Sequence, residues 1–296
     1  MAQYSIKDIE ILTGVKAHTI RIWEQRYNIV EPHRTDTNIR YYDQEQLKLL
    51  LNVSMLLKNG KKISHVAKMD KVQLNQEILS LVNIPVDKDG FLDIQIDNLI
   101  VSMIELDELK FEKIISNSTI RLGFENVMTK IIIPFLHKVG LLWTTGEINV
   151  AQEHFISNLI RRKLIVAIDG QSHNFNEKKS FLLFLPEGEL HEMGLLFAKF
   201  LIKSRGFKTV YLGQSVPMDD IIKLKETYSP DYILTYFTLT YDYEQMIEYV
   251  NHLFSNFSPN QIILCGPQAS SLKSKIPVGA KIMLQIDELI NFLQGL

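Results

Sequence analysis

The segment "SFLLFLPEGELHEMGLLFAKFL", residues 180–201, decides the fold of the C-terminal part of the chain. Its apolar run ends at Leu185, and apolar residues with helical spacing resume at Leu195, which predicts a buried strand followed by a helix. Similar apolar runs recur downstream with helical segments between them: "TVYLG", "DYILTYF", "QIILCG" and "AKIMLQ". Strands that alternate with helices predict a doubly wound parallel sheet covered on both faces.

Three residues follow the first predicted strand at a fixed spacing: Glu189, His191 and Gly194. Ligands of doubly wound sheets bind beyond the carboxyl ends of the strands, where these residues are expected. A zinc hydrolase motif would need a second histidine four residues after the first, but that position is Leu195. The pattern alone leaves two interpretations open: His191 binds a ligand, or it begins a helix whose positive end attracts Glu189.

The pattern of residues 1–70 predicts short helices separated by turns. A cap at Ser5 begins a first helix, Gly14 ends it, and a second helix is predicted over about Ala17–Tyr27. The polar side of the second helix offers side chains suited to phosphates and base edges in a major groove: Lys16, His18, Thr19 and Arg21. Any small helical domain with a charged outer face would show the same periodicity, so periodicity alone leaves DNA binding open.

A polar, turn-rich segment follows, "HRTDTNIRYYD", residues 33–43. It carries the side chains expected of a basic wing beside such a helix: Arg34, Arg40 and Tyr41. Residues 1–70 contain 11 Lys/Arg against 8 Asp/Glu, although the whole chain has a net charge of −2. This positive excess at the N-terminal end favours contact with double-stranded DNA.

Length and composition set broad limits on the class of protein. The chain has 296 residues, of which 46% are hydrophobic and 22% charged, so more than one packed domain is expected. A single cysteine, Cys265, excludes a disulfide framework. Neither a secretory leader nor an apolar stretch long enough to cross a bilayer is evident, so we expect a cytoplasmic protein without membrane contact.

The central region is predicted to be a helical bundle. Apolar residues recur with helical spacing, for example from Leu99 to Ile104, and glycines at positions 123, 140 and 146 argue against one long helix. The predicted fold is therefore multi-domain, α and α/β, with the following parts: a winged helix-turn-helix at 1–75, a linker at 76–90, a helical bundle at 91–176 and a Rossmann-like (flavodoxin-like) parallel sheet at 177–296.

Two stretches of the N-terminal region carry a specific resemblance. "YSIKDIEILTGVKAHTIRIWEQRY", residues 4–27, and "RTDTNIRYYDQEQLKLL", residues 34–50, resemble the winged helix-turn-helix of the MerR family. The signature lies in the run from Arg21 to Tyr27 and in the wing from Arg40 to Tyr42. The resemblance implies a transcription regulator that binds double-stranded operator DNA.

The residues after the first two predicted strands carry a second resemblance. Glu189-x-His191-x-x-Gly194, followed by "YLGQSVP" at 211–217, resembles the Asp/Glu-x-His-x-x-Gly segment of cobalamin-binding Rossmann-like domains. It implies that His191 is the lower ligand of the cobalt ion and that Glu189 orients and polarises its ring. The same resemblance places further residues around the corrinoid: Gly194, Ser215 and Val216.

The chain departs from this family where the cofactor's nucleotide tail would lie. Cobalamin-binding domains carry Ser-x-Leu after the third strand and Gly-Gly after the fourth, and both line a slot for the tail. Here Tyr236 and Thr238 replace the serine and the leucine, and only Gly266 remains of the glycine pair, followed by Pro267. Tyr236 is bulky enough to narrow the slot.

The predicted bundle carries a third motif, "WTTGEINVAQEH", residues 143–154. Trp143 and the Glu153-His154 pair have the W-x9-EH spacing of the helical cap in light-sensing cobalamin repressors of the CarH/LitR type. There these residues face the adenosyl side of the corrin. Some of those sensors have a histidine directly after the tryptophan, where this chain has Thr144. Taken singly, Trp143 could be a core residue and the Glu-His pair a solvated helix face.

Together these features predict a DNA-binding transcriptional repressor, not an enzyme, in which adenosylcobalamin controls a homo-oligomer on DNA and light is the signal. One alternative is a cofactor-independent MerR-type regulator whose degenerate cobalamin-like domain mediates oligomerisation or protein binding. Another is a corrinoid enzyme subunit that carries methyl groups or radicals. The display of Arg21, Arg34 and Arg40 together argues against the enzyme.

Overall fold

The computed structural model describes residues 4–35, 37–81, 90–144, 148–171, 179–238, 243–273 and 275–296, with the backbone alone at residues 75, 79–81 and 141–144. The chain divides into two compact units, Met1–Leu159 and Ile160–Leu296.

The first unit begins with a small antiparallel sheet and short helices. Its strands pair in the order β1-β3-β2. The strands are β1 (Tyr4–Ser5), β2 (His33–Arg34) and β3 (Arg40–Tyr42). The helices are α1 (Ile6–Thr13), α2 (Ala17–Ile22), α3 (Gln44–Lys58), α4 (Ile63–Val66) and α5 (Lys71–Leu81).

Local capping explains three of these boundaries. Ser5 and Asp43 each form a capping box at the start of α1 and α3, and Gly14 ends α1 with a left-handed φ of 72°. The predicted second helix is wrong in one respect, because α2 passes after Ile22 into a π-helical turn, Trp23–Tyr27. That wider turn carries the buried Trp23. The linker predicted from residue 76 begins inside α5, and its residues 82–89 lie outside the described residues.

The helical region confirms the predicted bundle. Its helices are α6 (Phe91–Glu105), α7 (Glu108–Leu122), α8 (Phe124–Val127), α9 (Ile133–Thr144) and α10 (Val150–Asp169), with a π-helical turn at Met128–Ile132. Helix α6 is buried along nearly its whole length. It packs on α3, where the Gln44 side-chain amide donates to the Ile104 carbonyl at 3.0 Å and Lys48 pairs with Glu105. The winged helix and the bundle therefore share one compact unit.

The second unit confirms the predicted parallel sheet. Its strands are β4 (Ser180–Pro186), β5 (Lys208–Val216), β6 (Tyr232–Tyr236), β7 (Ile262–Cys265) and β8 (Lys281–Met283). Its helices are α11 (Met193–Ser204), α12 (Met218–Lys223), α13 (Tyr243–Asn256) and α14 (Ile286–Gln294), with 3₁₀ turns at Leu224–Glu226, Pro259–Gln261 and Pro267–Leu272.

The strand order determines where a ligand site can form. All strands are parallel in the order β5-β4-β6-β7-β8, which is the flavodoxin-like order 2-1-3-4-5. The chain leaves β4 toward one side of the sheet and β6 toward the other, so the switch point lies at their carboxyl ends. Strand β5 is longer than predicted, so Ser215 and Val216 end the strand and do not follow it.

Among the described residues, no helix is long and apolar enough to span a bilayer.

Candidate functional sites

A buried carboxylate holds His191 beyond the end of β4. Gly188, with φ of 83°, turns the chain, and Glu189 is fully buried. Its Oε1 accepts hydrogen bonds from the His191 backbone N at 2.9 Å and lies 2.7 Å from His191 Nδ1. The imidazole side chain is 55% exposed, and Nε2 has no partner among the described residues. Glu189 thus fixes one ring nitrogen and leaves the other open.

The same glutamate joins the ends of three strands. Glu189 Oε2 accepts a hydrogen bond from the Thr238 backbone N at 2.9 Å, just after β6. Its carbonyl oxygen accepts from the Ser215 backbone N at 3.2 Å, and the Ser215 hydroxyl accepts from the Gly188 N at 3.0 Å. Ser215 adopts a left-handed φ of 51° to make these contacts. The predicted site residues Glu189, Ser215 and Thr238 therefore converge at the switch point.

The second acid next to His191 has a different role. Glu192 is buried, and its carboxylate accepts hydrogen bonds from Arg161 Nε and from the Tyr211 hydroxyl at 2.7 Å. Burial, together with the Glu192 carboxylate, raises the pKa of Tyr211 above its usual range. Glu192 fixes the loop before α11 and does not contact the imidazole through any described hydrogen bond.

Tyr236 fills the space between two glycines predicted to bind the cofactor, Gly194 of the His191 motif and Gly266 of the tail slot. A Cβ atom placed on Gly194 would lie 2.7 Å from Cε1 of the Tyr236 ring, and one on Gly266 would lie 2.9 Å from Cδ1 of the same ring. Gly266 also has φ of 98°, and its Cβ would lie 2.4 Å from the Phe237 carbonyl oxygen. Burial raises the pKa of the Tyr236 hydroxyl above its usual range.

The site offers an open nitrogen for the cobalt of a corrinoid but no space between Gly194 and Gly266 for an inserted group. Among the described residues no three His, Cys, Asp or Glu side chains group as metal ligands. The single open nitrogen of His191, backed by a carboxylate, would be available as a protein ligand for the cobalt of a corrinoid. By contrast, the ring of Tyr236 leaves no room for a group inserted between Gly194 and Gly266.

The Glu153-His154 pair lies in the first turn of α10, in the first unit. Glu153 Oε2 lies 2.7 Å from His154 Nδ1, and Glu153 Oε1 accepts from the Ser157 hydroxyl. The His154 side chain is 69% exposed. Trp143 belongs to the last turn of α9, but its side chain and that of Thr144 lie outside the described residues.

The predicted DNA-contacting side chains of α2 lie at the surface. Lys16, His18 and Arg21 are exposed and Thr19 is partly exposed, while Ile20 is buried. Lys16 Nζ lies 2.9 Å from Glu10 Oε1, and Glu10 Oε2 accepts from the backbone N of the first residue of α2 at 2.9 Å. Part of the charge of Lys16 is thus already paired.

The β2–β3 hairpin forms the predicted wing. Arg34 Nη1 donates to Asn38 Oδ1 at 2.8 Å at the wing tip. The Tyr41 ring stacks on His33 with centroids 5.3 Å apart. Both Arg34 and the wing tip are exposed, so this segment is free to reach a phosphate backbone.

Glu24 connects the wing to the turn after α2, a role that the sequence did not reveal. Its side chain is almost buried and accepts hydrogen bonds from Arg40 Nε at 3.1 Å and from the Tyr42 hydroxyl. Burial, with the Glu24 carboxylate, raises the pKa of Tyr42. Arg40, predicted as a DNA contact, is therefore paired within the protein. The one available signal was an acid amid the basic run of the MerR-like signature.

Comparison with known proteins finds family matches for the winged helix and for the helical bundle. Residues 4–72 match the MerR HTH family regulatory proteins, and residues 95–167 match the B12 binding domain. The chain combines a MerR-type helix-turn-helix with a B12-binding domain. The HTH-type transcriptional repressor CarH of Myxococcus xanthus is 27% identical over 78% of this chain and 77% of that protein. The repressor CarA of the same organism is 24% identical over 96% of this chain and 94% of that protein.

Solved structures give a weaker likeness. The Methanosarcina barkeri monomethylamine corrinoid protein is 17% identical with a TM-score of 0.44, covering 75% of this chain and all of that chain. The helix-turn-helix and B12-binding regions, together with homology to CarH and CarA, confirm the expected MerR type and cobalamin-binding class. These two relatives are transcription regulators and not enzymes, in agreement with the sequence expectation.

Proposed function

We propose that this protein is a cytoplasmic transcriptional repressor that binds double-stranded operator DNA and uses adenosylcobalamin as a light-sensitive effector. The observation that carries the proposal is the Glu189–His191 pair at the switch point of the sheet, in a chain whose N-terminal region matches MerR regulators. The exposed side of α2, with Arg21, and the wing, with Arg34, would contact DNA.

Glu189 suits His191 for cobalt ligation. A carboxylate next to Nδ1 favours the tautomer in which that nitrogen carries the proton, so the lone pair lies on the exposed Nε2. The same hydrogen bond fixes the ring orientation. Because Glu189 is fully buried and also bonded to the Thr238 backbone, the ring is held before any ligand arrives.

The helical region would sense the upper side of the cofactor. When bound, adenosylcobalamin supplies a cobalt–carbon bond that light breaks. Trp143 and the Glu153–His154 pair would contact the corrinoid differently with and without the adenosyl group. A ligand shifts a conformational equilibrium only by its different affinity for the two states, so these residues would carry the signal toward the helix-turn-helix.

A second candidate is a cofactor-free regulator with the same fold. The observation that favours it is the ring of Tyr236 between Gly194 and Gly266, where the tail slot would lie. In that case the α/β unit would serve only as a protein-binding or dimerisation surface. The two candidates differ in one measurable property, the binding of corrinoid.

The test is equilibrium binding of adenosylcobalamin in the dark to the full-length protein, with visible spectra before and after green light. We expect the parent to bind, and His191→Ala to bind at least about tenfold more weakly. His252→Ala is the matched control, since His252 is exposed on α13 of the same unit. If the parent binds no corrinoid at roughly tens of micromolar, about −6 kcal/mol, the cofactor-free regulator replaces the sensor.

The effect of the cofactor on DNA binding is measured with the same samples. Anisotropy of a labelled operator fragment should change between the dark complex and the illuminated one, while the His191→Ala protein should respond weakly. We expect a homo-oligomer whose self-association depends on residues 91–296. Sedimentation of the full-length protein, loaded in the dark and then illuminated, measures the oligomeric state. The full chain is used because α3 packs on α6 and residues 1–75 are not a separate unit.

A further inference from the structure

The ring of Tyr236 changes the class of corrinoid that the site can take. We infer that the site binds a corrinoid of the tail-less, cobinamide class through His191, and binds it more tightly than cobalamin. This inference rests on the proposed corrinoid function and deepens it. The structural relationship that carries it is the position of the Tyr236 ring against Gly194, at the start of α11, and Gly266, after β7.

The two glycines show that the ring, and not a ligand, takes up the space. Of the described atoms within 4 Å of a Cβ on Gly194, the three nearest are all Tyr236 ring atoms, at 2.7, 2.8 and 3.1 Å. Contacts this short with a packed ring cannot be relieved cheaply. Gly194 is therefore needed to accommodate Tyr236. A nucleotide tail could enter only if the ring left a position that partly buries it.

The ligating nitrogen remains open despite the closed slot. His191 is 55% exposed and its Nδ1 is held by Glu189, so Nε2 can meet a planar ligand lying over the carboxyl ends of the strands. The hydrogen bonds from Thr238 and Ser215 to Glu189 do not involve the Tyr236 side chain. Ligation of cobalt by His191 and insertion of a nucleotide tail are thus separate properties of this site. The site as it stands permits only the ligation.

Competition for the lower position of cobalt gives the expected preference. With cobalamin, His191 would have to replace the cofactor's own nucleotide base at the cobalt. The new bond from His191 would offset the bond that is lost, but the displaced base would gain no contacts, because the Tyr236 ring takes up the space between Gly194 and Gly266. A cobinamide carries no base, and His191 needs only to replace water. Specificity is this difference of two binding free energies.

The experiment compares aquocobinamide with aquocobalamin by equilibrium dialysis and visible spectroscopy, using the full-length parent protein. We expect the parent to bind aquocobinamide at least about tenfold more tightly. Tyr236→Ser removes the ring and should raise cobalamin affinity, which narrows or reverses the preference. Tyr236→Phe keeps the ring and is the matched control, because the Tyr236 hydroxyl has no hydrogen-bond partner among the described residues.

Each outcome decides the inference. A parent that prefers cobalamin overturns it, even if Tyr236→Ser is too unstable to purify, while leaving the corrinoid-controlled repressor standing. A folded Tyr236→Ser protein with the parent's affinity ratio also overturns it. Binding of neither corrinoid overturns both the inference and the proposed function. A preference for cobinamide that Tyr236→Phe retains and Tyr236→Ser loses supports it.

Discussion

Lys138 of α9 forms an ion pair with Asp97 of α6, with Nζ 3.1 Å from the carboxylate, and the carboxylate is fully buried. The same ammonium group donates to the carbonyl oxygen of Leu12 in α1 at 3.4 Å. Asp97 is also paired with Lys58 at the end of α3, at 2.6 Å. Burial raises the pKa of Asp97, and the two ammonium groups oppose that rise. A single carboxylate thus links the helix-turn-helix to the bundle.

Replacing Asp97 with Ala should lower the free energy of unfolding by about 3 kcal/mol, because breaking a buried ion pair leaves its partners uncompensated. Chemical denaturation of the full-length protein measures the loss. Asp93→Ala is the matched control, since Asp93 is exposed on the same helix and should cost less than about 1 kcal/mol. Equal losses in the two variants would show that the buried pairing contributes nothing.

Replacing Glu189 with Gln should weaken corrinoid binding by roughly tenfold to a hundredfold. The carboxylate accepts from two backbone N–H groups, those of His191 and Thr238, as well as facing the ring. A glutamine would place a donor against one of these donors, so the ring would lose its fixed orientation. Dialysis against aquocobinamide gives the affinity. Glu187→Gln, at an exposed position in the same loop, should bind like the parent.

Replacing Glu24 with Ala separates charge from positioning in the DNA-binding region. Removal of an acid from a DNA-binding surface should strengthen binding if only net charge matters. We expect weaker binding instead, together with a stability loss of about 1 to 3 kcal/mol, because Arg40 and Tyr42 lose their shared buried acceptor. Anisotropy at two salt concentrations and a thermal melt test this. Tighter DNA binding with an unchanged melt would contradict it.

Replacing Arg21 with Ala should reduce specific operator binding by about 1 to 3 kcal/mol and relax sequence preference, if this exposed side chain reads a base. Arg34→Ala provides the contrast. Arg34 lies at the wing, so its loss should mainly lower the salt slope of binding by about 1. Salt titrations with operator and scrambled DNA distinguish the two effects. The assignment of Arg21 fails if operator and scrambled DNA lose affinity equally.

Features set by nearby residues were predictable from the sequence. The capping boxes at Ser5 and Asp43 join residues three positions apart, and the alternation of apolar runs gave the parallel sheet. Glu189 and His191 lie two positions apart, so their pairing was also predictable from the sequence. Such contacts depend on local geometry, which the chain order already fixes.

Features that join distant parts of the chain were not predictable from spacing. Asp97 and Lys138 lie 41 residues apart, and Glu189 and Thr238 lie 49 apart. Helical periodicity identifies the apolar side of α6 but does not say that α3 covers part of it. The bulk of Tyr236 was evident, but the direction of its ring toward Gly194 was not, because one residue type occupies several rotamers.

Positions 194 and 266 require glycine for different reasons, and these reasons determine which substitutions each position accepts. Gly266 is required by its φ of 98° and by the Phe237 carbonyl oxygen, whatever side chain stands at position 236. Gly194 has no positive φ, and its nearest obstacles are atoms of a single side chain. The tolerance of position 194 therefore depends on position 236: Ala at 194 is unfavourable beside Tyr236, and a small residue at 236 would remove the three shortest contacts. A side chain at position 194 is therefore expected to be accepted more readily after the residue at position 236 has become smaller.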